Sequence, residues 1–339
     1  MKIVVTGGAG FIGSNFVRFV LRNRPDASVT NLDLLTYSGN LENLKDLEND
    51  PRYRLVRGDV CDPELAGAVL AGCDAVVHFA AESHVDRSIL DSRPFVTTNV
   101  LGTQTLLDAA RRARIGRFLQ VGTDEVYGSL PLDRPDLAFT EDLPLRPNSP
   151  YAASKAAADL LVRACHQTHG LDAVITRCSN NFGPYQFPEK VIPLFVTNLI
   201  EGQKVPLYGD GRNVRDWLHV EDHCEALLCV LERGRAGEIY NVGGDNQRSN
   251  LELTHLILKA MGRGPEMIQP VADRPGHDRR YAIDASKIRR ELGWSPSRSA
   301  WPEALSATVE WYVKNPEWWR RVKTGAYREY YRRQYGERA

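Results

Sequence analysis

A glycine-rich string, TGGAGFIGS (residues 6–14), follows directly on the β-branched run Lys2–Thr6 and opens a helical pattern that continues to about Leu21. A short buried strand must here turn sharply into a helix. Glycine lets the chain bend tightly, lets a ligand approach the backbone and lets the helix pack closely on the strand. The helix start then offers unpaired N–H groups and the positive end of its dipole to an anion such as a pyrophosphate. Gly8, Gly10 and Gly13 fit G-x-G-x-x-G, while Gly7, Gly10 and Gly13 fit the looser G-x-x-G-x-x-G, so the position of the first glycine is open. Asp33 ends a second strand pattern, Ser28–Asp33, 20 residues beyond Gly13. A carboxylate there can accept hydrogen bonds from both hydroxyls of a ribose and repels a 2′-phosphate, so NAD is expected rather than NADP.

The alternation continues. Further strands are expected at Tyr53–Asp59, Asp74–Ala80, Arg117–Gly122 and Leu171–Arg177, with helices at Pro63–Ala71, Asn99–Arg112 and Ser149–His166. This pattern predicts an α/β fold, a Rossmann-type doubly wound parallel sheet covered on both faces. Beyond Arg177 the alternation lapses. It resumes with a helix at Val220–Arg233 and a strand at Glu238–Val242, then yields from Gly243 to short helices and loops. Two interleaved lobes are expected: an NAD-binding lobe from 1–178 plus about 216–243, and a smaller mixed α/β C-terminal substrate-binding lobe from 179–215 and 244–325.

Lys plus Arg and Asp plus Glu both number 43, which leaves no basic excess for a nucleic-acid binder. No apolar run is long enough to span a membrane, and the N-terminus shows no export signal. The six cysteines form no C-x-x-C, and free thiols in a reducing cytoplasm are expected. The cluster His219-Val-Glu-Asp-His223-Cys224 fits no usual zinc spacing; a helix start explains it, and no metal site is expected. The segment from Trp311, crowded with Trp, Tyr and Arg, reads as a terminal helix docking its aromatic face on the body.

Two motifs carry chemistry. SPYAASK places Tyr151 and Lys155 at i and i+4, on one helix face. A phenol with an ordinary pKa of about 10 is a poor base, and a neighbouring ammonium together with the positive nicotinamide of NAD is expected to bring it down. The fifth strand runs into GTDEVYG, which puts Thr123, Asp124 and Glu125 at the carboxyl end of a sheet strand, where ligands bind. Thr123 can steady a substrate oxygen. Two adjacent carboxyls suit one neutral acid and one ionised base. If Asp124 instead caps a helix, the dipole would oppose the acid role.

With these motifs in place, VTGGAGFIGS, LDLLTYSGN, HFAAESHVDRSI, GTDEVYG, PNSPYAASKA, RCSNNFGPYQFPEKVIPLF, DWLHVEDH and DRPGHDRRYAID resemble the extended short-chain dehydrogenase/reductase superfamily. Within it they resemble the dTDP-glucose 4,6-dehydratase family, from Lys2 to about Trp319. The resemblance implies an NAD-dependent hydro-lyase that turns dTDP-glucose into the 4-keto-6-deoxy sugar. Tyr151, steadied by Lys155, would take the 4-hydroxyl proton. Glu125 would take the proton at C5, Asp124 would protonate the departing 6-hydroxyl, and Thr123 would bind the oxygen at C4. It further implies that Gly7, Gly10, Phe11, Ile12, Gly13, Asp33, Leu34, Thr36, Asp59, Val60, Phe79, Ala80, Ala81, Thr98 and Asn181 line the cofactor with Tyr151 and Lys155. Ser83 and His84 would face the sugar. Asn180, Lys190, Val191, Pro206, Tyr208, Arg215, Asn250, Arg274 and His277 would hold the nucleoside diphosphate. Leu34 stands where the family commonly has a basic residue. A homodimer through the helices near 99–112 and 150–166 is also implied. The rivals are an NDP-sugar 4-epimerase, which has no need of the Asp124–Glu125 pair, a dehydratase for another nucleotide, and a nucleotide sensor without turnover.

Overall fold

The computed structural model describes residues 1–323 and Tyr331. The strands are β1 (Lys2–Thr6), β2 (Ser28–Asp33), β3 (Tyr53–Arg57), β4 (Ala75–His78), β5 (Arg117–Thr123), β6 (Ala173–Cys178), β7 (Asn180–Phe182), β8 (Val205–Tyr208), β9 (Val214–His219), β10 (Ile239–Val242), β11 (Gln247–Ser249) and β12 (Ile268–Val271). Seven of them form one sheet in the order β10-β6-β5-β4-β1-β2-β3, and every neighbouring pair is parallel. Parallel strands buried on both faces need apolar residues at every position. In β1, Ile3 and Val5 enter the core on one face of the sheet and Val4 the core on the other.

The helices are α1 (Phe11–Asn23), α2 (Pro63–Leu70), α3 (Val85–Leu90), α4 (Arg93–Phe95), α5 (Thr103–Ala113), α6 (Pro150–His169), α7 (Val191–Ile200), α8 (Val220–Arg233), α9 (Asn250–Ala260), α10 (Ser286–Leu292), α11 (Glu303–Lys314) and α12 (Pro316–Val322). α1, α8 and α10 pack on the Ile3/Val5 face, and α2, α5 and α6 on the Val4 face. Local chemistry fixes the helix starts. Asp62 accepts N–H bonds from Glu64 and Leu65 to cap α2, with Pro63 in the first turn. Ser149 caps α6 through the Ala152 N–H, and Gly170 closes it in the left-handed region (φ 71°).

Two expectations change. The helix expected from Asn99 starts six residues earlier: α4 runs through a π-helical stretch, Val96–Gly102, into α5. Pro94 lies in its first turn, where a missing N–H has no helical partner to lose. The region after Arg177 also holds more order than its sequence suggested. β7, β9 and β11 form a three-stranded sheet, and β8 pairs with β12. Strands as short as NNF and QRS are too brief for alternation to show. α7, VIPLFVTNLI, is buried almost all round, so it has no polar face to reveal a helical period. It packs with α9, α11 and α12 around a third core that contains Trp217, Tyr312 and Trp319. The Trp318 indole donates to the buried Asn43 (2.8 Å), which ties α12 to the segment after β2. The remainder of the aromatic, arginine-rich segment, and the expected lobe limit at 325, lie outside the described residues.

Candidate active site

Strands run outward from β1 in both directions, which opens a crevice at the carboxyl ends of β1 and β4. The glycine string sits at that point, and the geometry settles its register. Gly7 has φ +71°, and a Cβ there would stand 2.7 Å from the Ala80 nitrogen; at Gly13 it would stand 2.3 Å from the Gly7 carbonyl oxygen. Gly7, Gly10 and Gly13 line the cavity, whereas Gly8 packs on the Asn31 side chain. Gly10 begins α1 with no side-chain cap, so the first helical N–H groups face the cavity uncapped. These features fit a dinucleotide pyrophosphate.

All the expected cofactor positions meet in this one cavity. Gly7, Gly10, Phe11, Ile12 and Gly13 come from the first turn, and Asp33, Leu34 and Thr36 follow β2. Asp59 and Val60 follow β3, Phe79, Ala80 and Ala81 follow β4, and Thr98 lies on the π-helical stretch. Tyr151 and Lys155 project from α6, and Asn181 from β7. The Asp33 carboxylate is buried and held by the N–H groups of Ala9 (2.9 Å) and Leu35 (2.8 Å), so it braces the glycine turn as well as facing the ribose position. Asn181 gives its amide oxygen to His223 (2.8 Å). His219 caps α8 through the Glu221 N–H, and Asp222 caps the 297–299 turn, while His223 Nε2 is buried without a hydrogen-bond partner.

The candidate reacting groups line the cavity at the end of β5. Lys155 is buried one helical turn after Tyr151, and its ammonium donates to the Val121 carbonyl oxygen (2.8 Å). Burial pushes Lys155 down, while Asp159 and Cys178 act to keep it charged. The Tyr151 phenol stands well above its ordinary value: burial comes first, then Glu125, with only a Thr123 hydrogen bond named as opposing. Burial and the neighbouring carboxyls dominate the phenol here, while the Lys155 ammonium is turned to the Val121 carbonyl. Thr123, not Asp124, caps the short helical turn Asp124–Tyr127. The Asp124 side chain is thereby released from capping; its Oδ2 is buried without a hydrogen-bond partner. Burial, then Glu125 and Asp216, raise Asp124 well above the carboxylate range. Burial also raises Glu125, but Arg274, Lys190 and Arg215 oppose it.

Of the expected substrate residues, three share the cavity with that trio, Arg215 and Arg274 act on Glu125 from outside its lining, and His84, Val191, Pro206, Tyr208, Asn250 and His277 do not line it. Ser83, Asn180 and Lys190 line the cavity, and Lys190 donates to the Ser83 carbonyl (3.1 Å). His84 is buried behind them and meets Glu189 at 3.3 Å. Arg215 lies over the Tyr281 ring (4.1 Å), and Tyr208 meets His277 edge-on at 6.0 Å. Pro206 lies on β8 with Tyr208, Asn250 opens α9, and Val191 opens α7 beside Lys190, its side chain on the third core. Sequence reasoning missed Ser38, Gly39, Glu82, Cys178, Gln186 and Phe187, which also line the cavity. Glu82 carried a usable signal, a charged residue just past the end of β4. Asn99 holds it in place, exchanging hydrogen bonds with its backbone (2.8 and 3.0 Å) and reaching Ser154 on α6 (2.8 Å).

A glycine cradle at the switch point, facing a buried Tyr–Lys pair, is the build of the short-chain dehydrogenase/reductase class. The chain belongs to the GDP-mannose 4,6 dehydratase family, whose model matches residues 4–301. It is 58% identical to a dTDP-glucose 4,6-dehydratase of Streptomyces niveus over 96% of each chain. It is 48% identical to the Escherichia coli enzyme of that name over 99% of each. DesIV, a dTDP-glucose 4,6-dehydratase from Streptomyces venezuelae solved with NAD bound, superposes with a TM-score of 0.92 at 54% identity, covering 95% of this chain and 100% of that one. A UDP-glucose 4-epimerase from Thermotoga maritima reaches a TM-score of 0.84 at 29% identity, covering 93% and 100%.

Proposed function

We propose that this chain is an NAD-dependent hydro-lyase that converts dTDP-glucose to dTDP-4-keto-6-deoxyglucose and water. The observation that carries this reading is the Asp124–Glu125 pair at the end of β5, one carboxyl buried with an unpartnered oxygen and pushed well above the carboxylate range, the other opposed by three cations. A 4-epimerase, of similar fold, has no use for such a pair.

The Gly7–Gly13 turn, Asp33 and Lys155 would hold NAD, which when bound supplies reversible uptake of hydride. The roles of the chain's own groups follow from their places. Tyr151 Oη takes the proton of the 4-hydroxyl, and Thr123 steadies that oxygen. Once C4 is a ketone, the C5 proton is acid enough for the Glu125 carboxylate to remove. Asp124, still protonated, gives its proton to the 6-hydroxyl, which leaves as water, and Glu125 returns a proton to C5 as the hydride taken from C4 comes back at C6. Arg215, Arg274 and Lys190 suit the diphosphate, and Tyr208 suits the pyrimidine. We assign the NAD side to the large sheet and the sugar-nucleotide side to the two small sheets with α7 and α9.

No helix among the described residues is long and apolar enough to cross a membrane. All six cysteines are free, which suits the cytoplasm. Val96, Leu101 and Leu160 expose more than half of their surface on the helices at 93–113 and on α6, and these faces support a homodimer. Incubation with dTDP-glucose tests the reaction. Loss of one water, with deuterium taken up at C5 in heavy water, is expected; a product of unchanged mass would overturn it.

A further inference from the structure

We propose that Asp86 is a positioning residue for nucleotide-sugar binding, holding Arg274 and Tyr208 from across the cleft in the orientation that receives the diphosphate and the base. The inference rests on the reading above for what is bound, but its own grounds are geometric.

Asp86 lies on α3, which follows β4 of the large sheet and packs on α6. It is 5% exposed and is not among the residues that line the cavity. Its two carboxylate oxygens are given to two different segments. Oδ1 accepts from Arg274 Nη1 at 3.0 Å, and Oδ2 accepts from the Tyr208 hydroxyl at 3.1 Å. Those segments are already neighbours: β8 pairs with β12, with Tyr208 opposite Val271, and Gly209 N–H bonds the Val271 carbonyl (3.0 Å). Asp86 therefore ties the smaller sheet to the large-sheet half through the very residues expected to touch the nucleotide.

Each tie has a consequence for binding. A guanidinium presents five N–H donors in a rigid fork, so fixing Nη1 fixes where the others point. Arg274 also acts on Glu125, the proposed base. Without Asp86, that carboxylate is the competing partner for the cation. A tyrosine anchored at its hydroxyl holds its ring plane, and here that ring stands edge-on to His277 at 6.0 Å. Both groups then meet the ligand without first being ordered, which is where preorganisation contributes to affinity.

The test is titration of the NAD-loaded protein with dTDP, alongside steady-state turnover of dTDP-glucose. Asp86→Asn is expected to weaken dTDP binding ~10-fold and to raise KM by a similar factor, with kcat falling less and bound NAD unchanged. Arg274→Met alone should weaken dTDP binding, and adding Asp86→Asn to it should cost much less than the product of the single effects. Effects that multiply, or an Asp86→Asn variant with wild-type dTDP affinity, would overturn the proposal. Should Asp86→Asn not fold, Asp86→Glu is read instead. It keeps the charge but moves both oxygens, so its KM should rise ~10-fold, and a wild-type KM sinks the inference. Wild-type protein that turns over dTDP-glucose secures the underlying reading whatever the variants do. Wild-type protein that does not bind dTDP removes that reading and this one with it.

Discussion

Asp124 and Glu125 stand side by side at the head of one helical turn, yet the tertiary structure gives them opposite company. Arg274, Lys190 and Arg215 act to ionise Glu125 against Asp278, whereas Glu125 and Asp216 act to keep Asp124 protonated, with Arg215 as its counterweight. Two carboxyls whose surroundings differ in this way can serve as acid and base in one step.

Replacing Asp124 with Asn removes the proton donor while keeping the shape. Elimination should slow by roughly 10²–10⁴, and oxidation at C4 much less. Reduced nicotinamide should accumulate in a single turnover, visible by its near-ultraviolet absorbance. Water loss at the wild-type rate would remove Asp124 from the acid role.

The pH dependence follows from the same pair. Glu125 must be ionised to act, and burial has raised it, so activity falls as pH drops through a value above the ordinary glutamate range. Asp124 must be protonated, so activity falls again as pH rises through its own raised value. Arg274 lowers Glu125; Arg274→Met should therefore move the acid limb of kcat/KM to higher pH. An acid limb that stays put or moves down would show that Arg274 does not act on the base.

Gly13→Ala places a methyl 2.3 Å from the Gly7 carbonyl and 2.8 Å from Gly8 Cα, both backbone atoms. The turn must open or α1 must shift, at a cost of about 1–3 kcal/mol, and the cradle loses its shape. Dinucleotide released on denaturation should fall to a small fraction of wild type while far-ultraviolet circular dichroism is retained.

Gly67 offers the opposite case. It lies inside α2, and a Cβ there meets nothing within 4 Å. Gly67→Ala should stabilise the protein by about 0.5–1 kcal/mol. Urea denaturation checks this, and a lower midpoint would contradict it.

Leu101 and Leu160 are 53% and 56% exposed. If these helices meet a second copy, Leu101→Asp with Leu160→Asp buries two unpaired charges and should yield a monomer by light scattering. An unchanged dimer would place the interface elsewhere.

The large sheet was legible because its code is local. Runs such as KIVVT and AVVH need only β-branched density, and Asp62-Pro63 and Ser149-Pro150 mark helix starts within a few residues. The cradle and the Tyr151–Lys155 spacing are local for the same reason. The small sheets were not legible, since β7 pairs in parallel with β9 across a long intervening segment, and β9 in turn with β11, which strands of three residues cannot signal.

What the sequence alone determined, then, is which groups are candidates for the chemistry: glycines at a strand end, one tyrosine a helical turn from one lysine, two carboxyls in a row. Which carboxyl keeps its proton, which glycine opens the cradle, and how Asp86 reaches Arg274, 188 residues further along the chain, were decided only by the fold. Spacing can place side chains on one face, but it cannot say how deeply they are buried or which distant charge faces them. A carboxyl's proton affinity depends on those two things.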